Sequence, residues 1–191
     1  MAKLYFYYST MNAGKSTILL QSAYNYKERG MDTLLFTPAI DTRYGQGNIT
    51  SRIGLQKEAI SFHTDFNLFD YTQAQKQQNP KLTCLFIDEA QFLTKQQVRQ
   101  LTEIVDTLNL PVLAYGLRND FCGETFEGSL YLLIWADNLV EIKTICFCGK
   151  KAIMNTRIDK QGHAIREGKN VHIGGNESYI AMCRKHFWEA K

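Results

Sequence analysis

No stretch of the sequence is apolar over the roughly 20 residues that a membrane-spanning helix needs. The apolar segment closest to the N-terminus, residues 4–8, is also too short for the hydrophobic region of a secretory signal peptide. These absences predict a cytoplasmic protein with no membrane partner.

The sequence also lacks a large excess of charge of one sign. Its 22 Lys and Arg residues nearly balance its 19 Asp and Glu residues, for a formal net charge of +3. The basic residues are scattered, which argues against a protein that binds nucleic acid. With 191 residues, 45% of them hydrophobic, the chain can form one compact domain and a small appendage.

The sequence contains an odd number of cysteine residues. Five Cys residues in a chain without a secretory signal favour reduced thiols or metal ligands over disulfides. Cys146 with Cys148, and Cys183 with His186, form two pairs that would complete a tetrahedral structural zinc site, although the first pair is more closely spaced than usual. Free thiols are the alternative. The other cysteines are expected to be free thiols and the other histidines not to bind metal: Cys84, Cys122, His63, His163 and His172.

Short apolar runs alternate with helical patterns along most of the chain. This alternation predicts a parallel sheet covered by helices on both faces. One helix is expected to run from the region of Gly14 to Gly30, and another to begin at Thr94, whose spacing to Gln97 is that of a capping box. The predicted strands are residues 4–8, 33–37, 83–87, 112–115 and 139–143.

Two parts of the chain depart from this alternation. Residues 41–54 are polar and contain glycine, which favours either a mobile functional loop or an ordinary surface loop. After about residue 144 the sequence changes to short β-like pieces, Gly pairs and Cys. We therefore expect a nucleotide-binding domain over residues 1–143 and a small lobe over residues 144–191.

Residues 9–17 have the spacing of a Walker A loop, with a predicted strand before them and a helix after them. Lys15 would reach the β- and γ-phosphates, and the Ser16 hydroxyl would bind Mg²⁺. Ser9 stands where the pattern has its first glycine, and a chance match at a helix start is the alternative. The predicted phosphate-binding residues of the loop are Ser9, Thr10, Met11, Asn12, Ala13, Gly14, Lys15, Ser16 and Thr17.

An apolar strand ending in Asp88 supplies the matching Walker B half, so that ATP or GTP binding follows from two motifs in the right order. Asp88 would bind Mg²⁺ together with Ser16. Glu89 points away from its neighbour and is suited to act on an acceptor, either as the base of a kinase or by orienting water in an ATPase. A solvated acid at a strand end is the third possibility.

A set of residues in or beside loops could enclose a flat base at the carboxyl edge of the sheet. Core packing is the ordinary explanation for any one of them. They are Met11, Gln91, Phe92, Phe121, Phe126 and Tyr179.

The sequence resembles the type II, zinc-containing thymidine kinases, and the bacterial branch of that family most closely. The resemblance runs in family order over nearly the whole chain. It is carried by residues 11–17, Asp41-Thr42-Arg43, residues 87–92, residues 116–121, and residues 173–175 through Tyr179 to Cys183.

The resemblance implies a P-loop α/β fold that transfers the γ-phosphate of ATP to the 5′-hydroxyl of thymidine. It implies that Glu89 is the catalytic base and that Arg43, on a flexible loop, acts near the transferred phosphate, with Lys15 holding the donor. Residues 170–179 match the lasso loop that closes over the base. The implied thymidine-binding residues are Met11, Glu89, Phe92, Leu117, Phe121, Phe126, Val171, Ile173, Gly174 and Tyr179, and Asp88, Glu89, Ala90 and Gln91 join the ATP-binding set.

The resemblance further implies Mg²⁺ with ATP, a structural Zn²⁺, a homotetramer, and inhibition by thymidine triphosphate. Two other functions remain open from the residues themselves. One is a zinc-ribbon P-loop ATPase that acts on nucleic acid, against which the modest charge and short chain argue. The other is a regulator that binds ATP without consuming it, against which the Asp88–Glu89 pair argues.

Overall fold

The computed structural model describes residues 1–41, 45, 47–167 and 178–190. Its strands are β1 Leu4–Ser9, β2 Asp32–Pro38, β3 Asn48–Thr50, β4 Gln56–Glu58, β5 Ile60–Phe62, β6 Leu82–Ile87, β7 Val112–Leu117, β8 Asn138–Glu141, β9 Thr144–Ile145, β10 Lys151–Ala152, β11 Met154–Ile158, β12 Ala164–Ile165 and β13 Tyr179–Met182. Its helices are α1 Lys15–Glu28, α2 Leu68–Gln78, α3 Lys95–Leu108, α4 Glu127–Trp135 and α5 Arg184–Glu189, with a short 3₁₀ turn at Ala90–Phe92.

A six-stranded sheet in the order β5-β2-β6-β7-β1-β8 forms the body of the protein. All of its strand pairs are parallel. Because β7 lies between β1 and β6, the carboxyl ends of these three strands meet at one edge of the sheet. That edge therefore collects the loops that follow β1, β6 and β7. The α/β class expected from the sequence is confirmed.

Helices cover both faces of this sheet. On one face, Leu85 and Ile87 of β6 pack in a core that includes residues of α2, α3 and α4. On the other face, Cys84 and Phe86 pack against Leu19, Leu20 and Ala23 of α1. Successive residues of β6 thus alternate between two cores, as side chains of a strand must. Both cores are apolar, which is why the strand reads as a continuous hydrophobic run.

The predicted capping box of α3 is present. The Thr94 side chain accepts a hydrogen bond from the Gln97 backbone N–H at 3.2 Å, and the Thr94 backbone N–H donates to the Gln97 side chain at 3.1 Å. The Gln97 amide also donates to the backbone carbonyls of His63 and Phe66, which ties α3 to the segment before α2. Gln97 therefore stabilises the start of α3 and also holds the segment before α2 against this helix.

The prediction of a loop throughout residues 41–54 is wrong for residues 48–50. They form strand β3, which pairs with β4 in an antiparallel hairpin. Ile49 is only 1% exposed and packs in the core beside α1. One buried apolar side chain between polar neighbours was too short a pattern to indicate a strand. The predicted strand at 139–143 is shifted, because β8 spans Asn138–Glu141.

The C-terminal part contains short antiparallel strands. β11 pairs with β12 on one side and β13 on the other, and β9 pairs with β10. Its apolar core is small and consists of Cys146, Ala152, Met182, Cys183 and Phe187. A core of this size contributes little free energy of folding by itself, so an additional cross-link is expected here.

Among the described residues, no helix combines the length and apolar character needed to cross a bilayer.

Helix α4 packs unusually closely against the turn that follows β6. A Cβ atom at Gly128 would lie 2.5 Å from the Ala90 carbonyl oxygen, 2.8 Å from that of Leu93 and 2.9 Å from that of Gln91. All three contacts are with backbone, which cannot move aside as a side chain can. A glycine is therefore required for this approach.

Gly128→Ala is expected to destabilise the protein by about 1–3 kcal/mol, because the helix must move away from the turn. Urea unfolding of both proteins measures the difference. Helix propensity alone predicts the opposite sign, a gain of about 1 kcal/mol for replacing glycine by alanine. A stabilised variant would therefore refute the steric explanation.

Candidate active site

The loop between β1 and α1 has the geometry of a phosphate-binding loop. Gly14, directly before the helix, has φ +84°, and Asn12 has φ +65°. Left-handed backbone at these positions turns the chain so that α1 begins at the mouth of the loop. Ser9 is the last residue of β1 and is paired with Leu117 of β7. Its extended backbone accommodates a Cβ, which explains why glycine is not needed there.

Lys15 is folded into the loop that precedes it. Its ammonium group donates to the Thr10 carbonyl at 2.8 Å and to the Ser9 hydroxyl at 3.1 Å, and the residue is only 8% exposed. A buried cation beside a helix N-terminus would favour the binding of an anionic phosphate group.

The two halves of the predicted magnesium site lie in direct contact. The Ser16 hydroxyl donates to the Asp88 carboxylate, at 3.0 Å to Oδ2 and 3.3 Å to Oδ1. Burial, and then the charge of Glu89, raise the pKa of Asp88 above its usual range, while Ser16 and Lys15 act in the opposite direction. A cation between Ser16 and Asp88 would relieve the cost of burying this charge.

Glu89 takes a different direction from Asp88. Its backbone is left-handed, with φ +47°, and it begins the 3₁₀ turn Ala90–Phe92. The half-buried Glu89 side chain accepts a hydrogen bond from the Gln91 amide at 2.5 Å. The two neighbouring acids are thus held by different partners, one on the phosphate loop and the other on the turn after β6.

A cavity of about 280 Å³ lies at this edge of the sheet. Its lining includes most of the phosphate loop, both acids, and several of the apolar residues proposed from the sequence. Phe92 and Phe126 contact each other edge to face, with ring centroids 5.9 Å apart. The predicted residues that line it are Met11, Asn12, Ala13, Gly14, Lys15, Ser16, Thr17, Asp88, Glu89, Gln91, Phe92, Leu117, Phe121, Phe126 and Tyr179.

Three predicted phosphate-binding residues, Ser9, Thr10 and Ala90, are buried and are not part of this lining. Ser9 and Thr10 instead hold the Lys15 ammonium group. Arg43, Val171, Ile173 and Gly174 lie outside the described residues. Their predicted roles therefore remain predictions.

Asn155 is a site residue that no motif in the sequence indicates. It lies on β11 and is 2% exposed. Its side-chain oxygen accepts from the Met11 backbone N–H at 2.8 Å, and its amide nitrogen donates to the Asn119 carbonyl at 2.7 Å. The C-terminal part is thereby joined to the phosphate loop across 144 residues of sequence.

The β3–β4 hairpin also contributes to the cavity. Ser51, Arg52 and Ile53 belong to its lining, beside Thr50 of β3. The sequence predicts a loop here and does not single out these residues. Arginine commonly binds phosphate groups, but no motif in the sequence marked Arg52.

The cluster Cys146, Cys148, Cys183 and His186 forms a group whose potential ligand atoms all lie within 4.8 Å of one another. The Cys146 sulfur is 3.2 Å from His186 Nδ1, and the Cys148 and Cys183 sulfurs are 3.9 Å apart. Ligands about 2.3 Å from a tetrahedral zinc ion stand about 3.8 Å from one another, so these residues fit such a site.

The Cys146 thiol of this cluster differs in pKa from a thiol in the core. Burial would raise the pKa of Cys146, but the backbone N–H groups of Cys148 and Cys183 and the His186 side chain lower it to about 6. Burial raises the pKa of Cys84 to about 12. Thiolate is the form that binds metal, so the Cys146 position favours metal binding and the core position does not. Although the Lys150 backbone N–H lowers the pKa of Cys148, desolvation and the neighbouring thiols raise it overall, so the fit of the cluster to a metal rests on its geometry. Within the described residues, His63 and His163 are not part of the cluster.

Comparison with known proteins decides the family. Residues 2–187 match the family model described as thymidine kinase. The chain belongs to the thymidine kinase family. A thymidine kinase of Legionella pneumophila (strain Paris) is 65% identical over 187 residues, covering 98% of this chain and 90% of that protein. A thymidine kinase of Rhodopirellula baltica is 60% identical over 190 residues, covering 100% and 90%, respectively.

The thymidine kinase family was the one expected from the motifs, and its bacterial relatives confirm that expectation. A thymidine kinase of Coxiella burnetii is 61% identical over 187 residues, covering 98% of this chain and 95% of that protein. The crystal structure of Pif1 helicase from Candida albicans aligns with a TM-score of 0.43 and 17% identity, over 75% of this chain and 36% of that one, which is too weak to support an argument.

Asn155→Ala is expected to lower the free energy of unfolding by about 1–3 kcal/mol, because the Met11 N–H and the Asn119 carbonyl lose a buried partner. Denaturant unfolding measures the loss. The control is Asn25→Ala on the exposed face of α1, where the change should stay within about 0.5 kcal/mol. Equal effects of the two substitutions would contradict the structural role of Asn155.

Proposed function

We infer that this protein is an ATP-dependent thymidine kinase, which transfers the γ-phosphate of ATP to the 5′-hydroxyl of thymidine to give thymidine monophosphate and ADP. The observation that carries this inference is one cavity lined by the phosphate loop, the acid pair and aromatic rings, in a chain that matches the thymidine kinase family over residues 2–187.

We propose that the phosphate loop binds ATP. Its backbone N–H groups and the Lys15 ammonium group would hold the β- and γ-phosphates, and the Asp88–Gln91 turn would border them. Magnesium bound by Ser16 and Asp88 would neutralise charge on the phosphate oxygens. Positioning of donor and acceptor, together with charge stabilisation, supplies most of the catalysis in this type of reaction. Arg43 is proposed to act near the transferred phosphate.

Glu89 is proposed to be the general base. Its carboxylate would accept the proton of the 5′-hydroxyl while that oxygen bonds to the γ-phosphorus and the bond from phosphorus to the departing ADP oxygen breaks. Separate partners for Asp88 and Glu89 support this division between metal binding and proton transfer.

The thymine base is proposed to bind among the apolar residues of the same cavity. Edge-to-face packing of Phe92 and Phe126 gives one wall a fixed shape suited to a planar ring. The proposed thymidine-binding residues are Met11, Glu89, Phe92, Leu117, Phe121, Phe126 and Tyr179, together with Val171, Ile173 and Gly174 of the proposed lasso loop.

We further propose that residues 1–143 form the nucleotide-binding domain and residues 144–191 a lobe stabilised by zinc. Zinc would be held by four side chains, those of Cys146, Cys148, Cys183 and His186, whose geometry fits the ion. The small apolar core around them supports a structural role for the metal. A cytoplasmic homotetramer inhibited by thymidine triphosphate is also proposed, from the family resemblance alone.

The rival function, a zinc-ribbon P-loop ATPase acting on nucleic acid, is not favoured by the family match. A thermal-shift series with thymidine, other nucleosides and single-stranded DNA, together with a radiolabelled ATP assay on the same nucleosides, tests the proposed function. Stabilisation by thymidine and labelled thymidine monophosphate are expected. Stabilisation by DNA with hydrolysis of ATP and no labelled nucleotide would refute it.

Glu89→Gln is expected to lower the single-turnover rate by about 10² to 10⁴, because the amide cannot accept the proton. Equilibrium binding of ATP and thymidine should be retained. Glu103→Gln, which alters an exposed carboxylate on α3, serves as the control and should leave the rate unchanged. A Glu89→Gln rate close to that of the unmodified enzyme would rule out the assigned role.

Cys183→Ser is expected to reduce bound zinc from about one ion per chain to well below that and to lower the melting temperature, because the tetrahedral set loses a thiolate. Elemental analysis and calorimetry on the same sample measure both effects. Cys122→Ser is the matched control, since Cys122 lies outside the cluster. Unchanged zinc content in Cys183→Ser would exclude this ligand set.

A further inference from the structure

Gln91 is buried between the carboxyl ends of β6 and β7, and both ends of its side-chain amide are engaged. The nitrogen donates to Glu89 Oε2 at 2.5 Å, and the oxygen accepts from the Leu117 backbone N–H at 3.0 Å. Leu117 N–H can only donate, so it fixes which end of the amide is oxygen. The nitrogen must therefore face Glu89, and the residue is only 3% exposed.

Two glycines hold Gln91 in this place. A Cβ atom at Gly116 would lie 3.0 Å from the Gln91 backbone nitrogen and 3.1 Å from its Oε1, so the end of β7 packs directly on this residue. A Cβ atom at Gly128 would lie 2.9 Å from the Gln91 carbonyl oxygen. Backbone and side chain are thus confined from both sides, and the amide has little freedom to turn.

The end of β7, which packs on Gln91, is hydrogen-bonded to α4. The Ser129 hydroxyl donates to the Leu117 carbonyl at 2.6 Å, and Ser129 is fully buried. Leu117 lines the cavity together with Phe126, which caps α4. A continuous set of hydrogen bonds therefore runs from the start of α4, through Leu117 and Gln91, to the Glu89 carboxylate.

We propose that Gln91 is a positioning residue for the kinase reaction: its amide orients the Glu89 carboxylate toward the acceptor hydroxyl and ties the base to the wall of the acceptor pocket. The proposal rests on the proposed function, in which Glu89 is the base. The sequence predicts Gln91 both as a phosphate-binding residue and as one of the residues that could enclose a base. Its amide instead bonds with Glu89 and Leu117, so its effect is expected on proton transfer rather than on ATP affinity.

Two substitutions separate the two bonds. Gln91→Glu keeps an oxygen that can accept from Leu117 N–H, but it removes the donor to Glu89. Gln91→Met removes both. Each is expected to lower the single-turnover rate by about 10- to 100-fold, because a displaced base is no longer aligned with the hydroxyl. KM for ATP and thymidine should be essentially unchanged.

The matched controls are Gln100→Glu and Gln100→Met. Gln100 is also a buried glutamine whose side-chain oxygen accepts a backbone N–H, that of Leu68, at 3.0 Å, but it lies on α3 outside the cavity lining. These variants carry the same cost of altering a buried amide and should keep the unmodified rate. If Gln91→Met is too unstable to assay, Gln91→Glu decides the question.

A double-variant cycle with Glu89→Gln distinguishes positioning from general support of the fold. Without a base to orient, either Gln91 substitution should change the remaining rate by no more than about twofold. A full additional loss in that background, an unmodified rate in Gln91→Glu, or a raised KM with an unchanged rate would each overturn the proposal. If the unmodified enzyme gave no thymidine monophosphate, the proposed function itself would fail.

Discussion

The parallel register of β1, β7 and β6 is the constraint on which the site depends. Because the three strands run in the same direction, the loops that follow them emerge at one edge, and the Ser16 hydroxyl meets the Asp88 carboxylate across 72 residues of sequence. Strong apolar cores on both faces hold that register. The burial of Asp88 follows from the same arrangement, and it disfavours the charged carboxylate and raises its pKa.

The turn after β6 connects the sheet to the aromatic wall of the cavity. Glu89 adopts a left-handed backbone there, Gly128 allows α4 to pack on the turn, and Phe126 at the start of α4 reaches Phe92. The close contact that Gly128 allows thus determines the positions of the aromatic side chains of Phe92 and Phe126. In a kinase this arrangement matters because phosphoryl transfer depends chiefly on how donor, acceptor and base are held.

Several polar contacts attach the C-terminal part to the site, among them those of Asn155 and of Arg166 with the Phe121 carbonyl. Asn155 satisfies the Met11 N–H and the Asn119 carbonyl, both of which belong to loops at the cavity. The part that carries Asn155 has a small core beside the Cys3His cluster. The conformation of the phosphate loop is thereby linked to a lobe whose stability we attribute to metal binding.

The sequence by itself determined the α/β class, the phosphate loop, the acid pair and the group of three Cys and one His that cluster, because each is specified by local periodicity or by residues at fixed spacing. It could not determine the hairpin at residues 48–58, since a single buried Ile49 leaves no periodic pattern. Nor could it reveal the bonds of Asn155 and Gln91. Their partners are chosen by which strand ends and loops meet in space, and only the tertiary structure brings those distant groups within hydrogen-bonding distance.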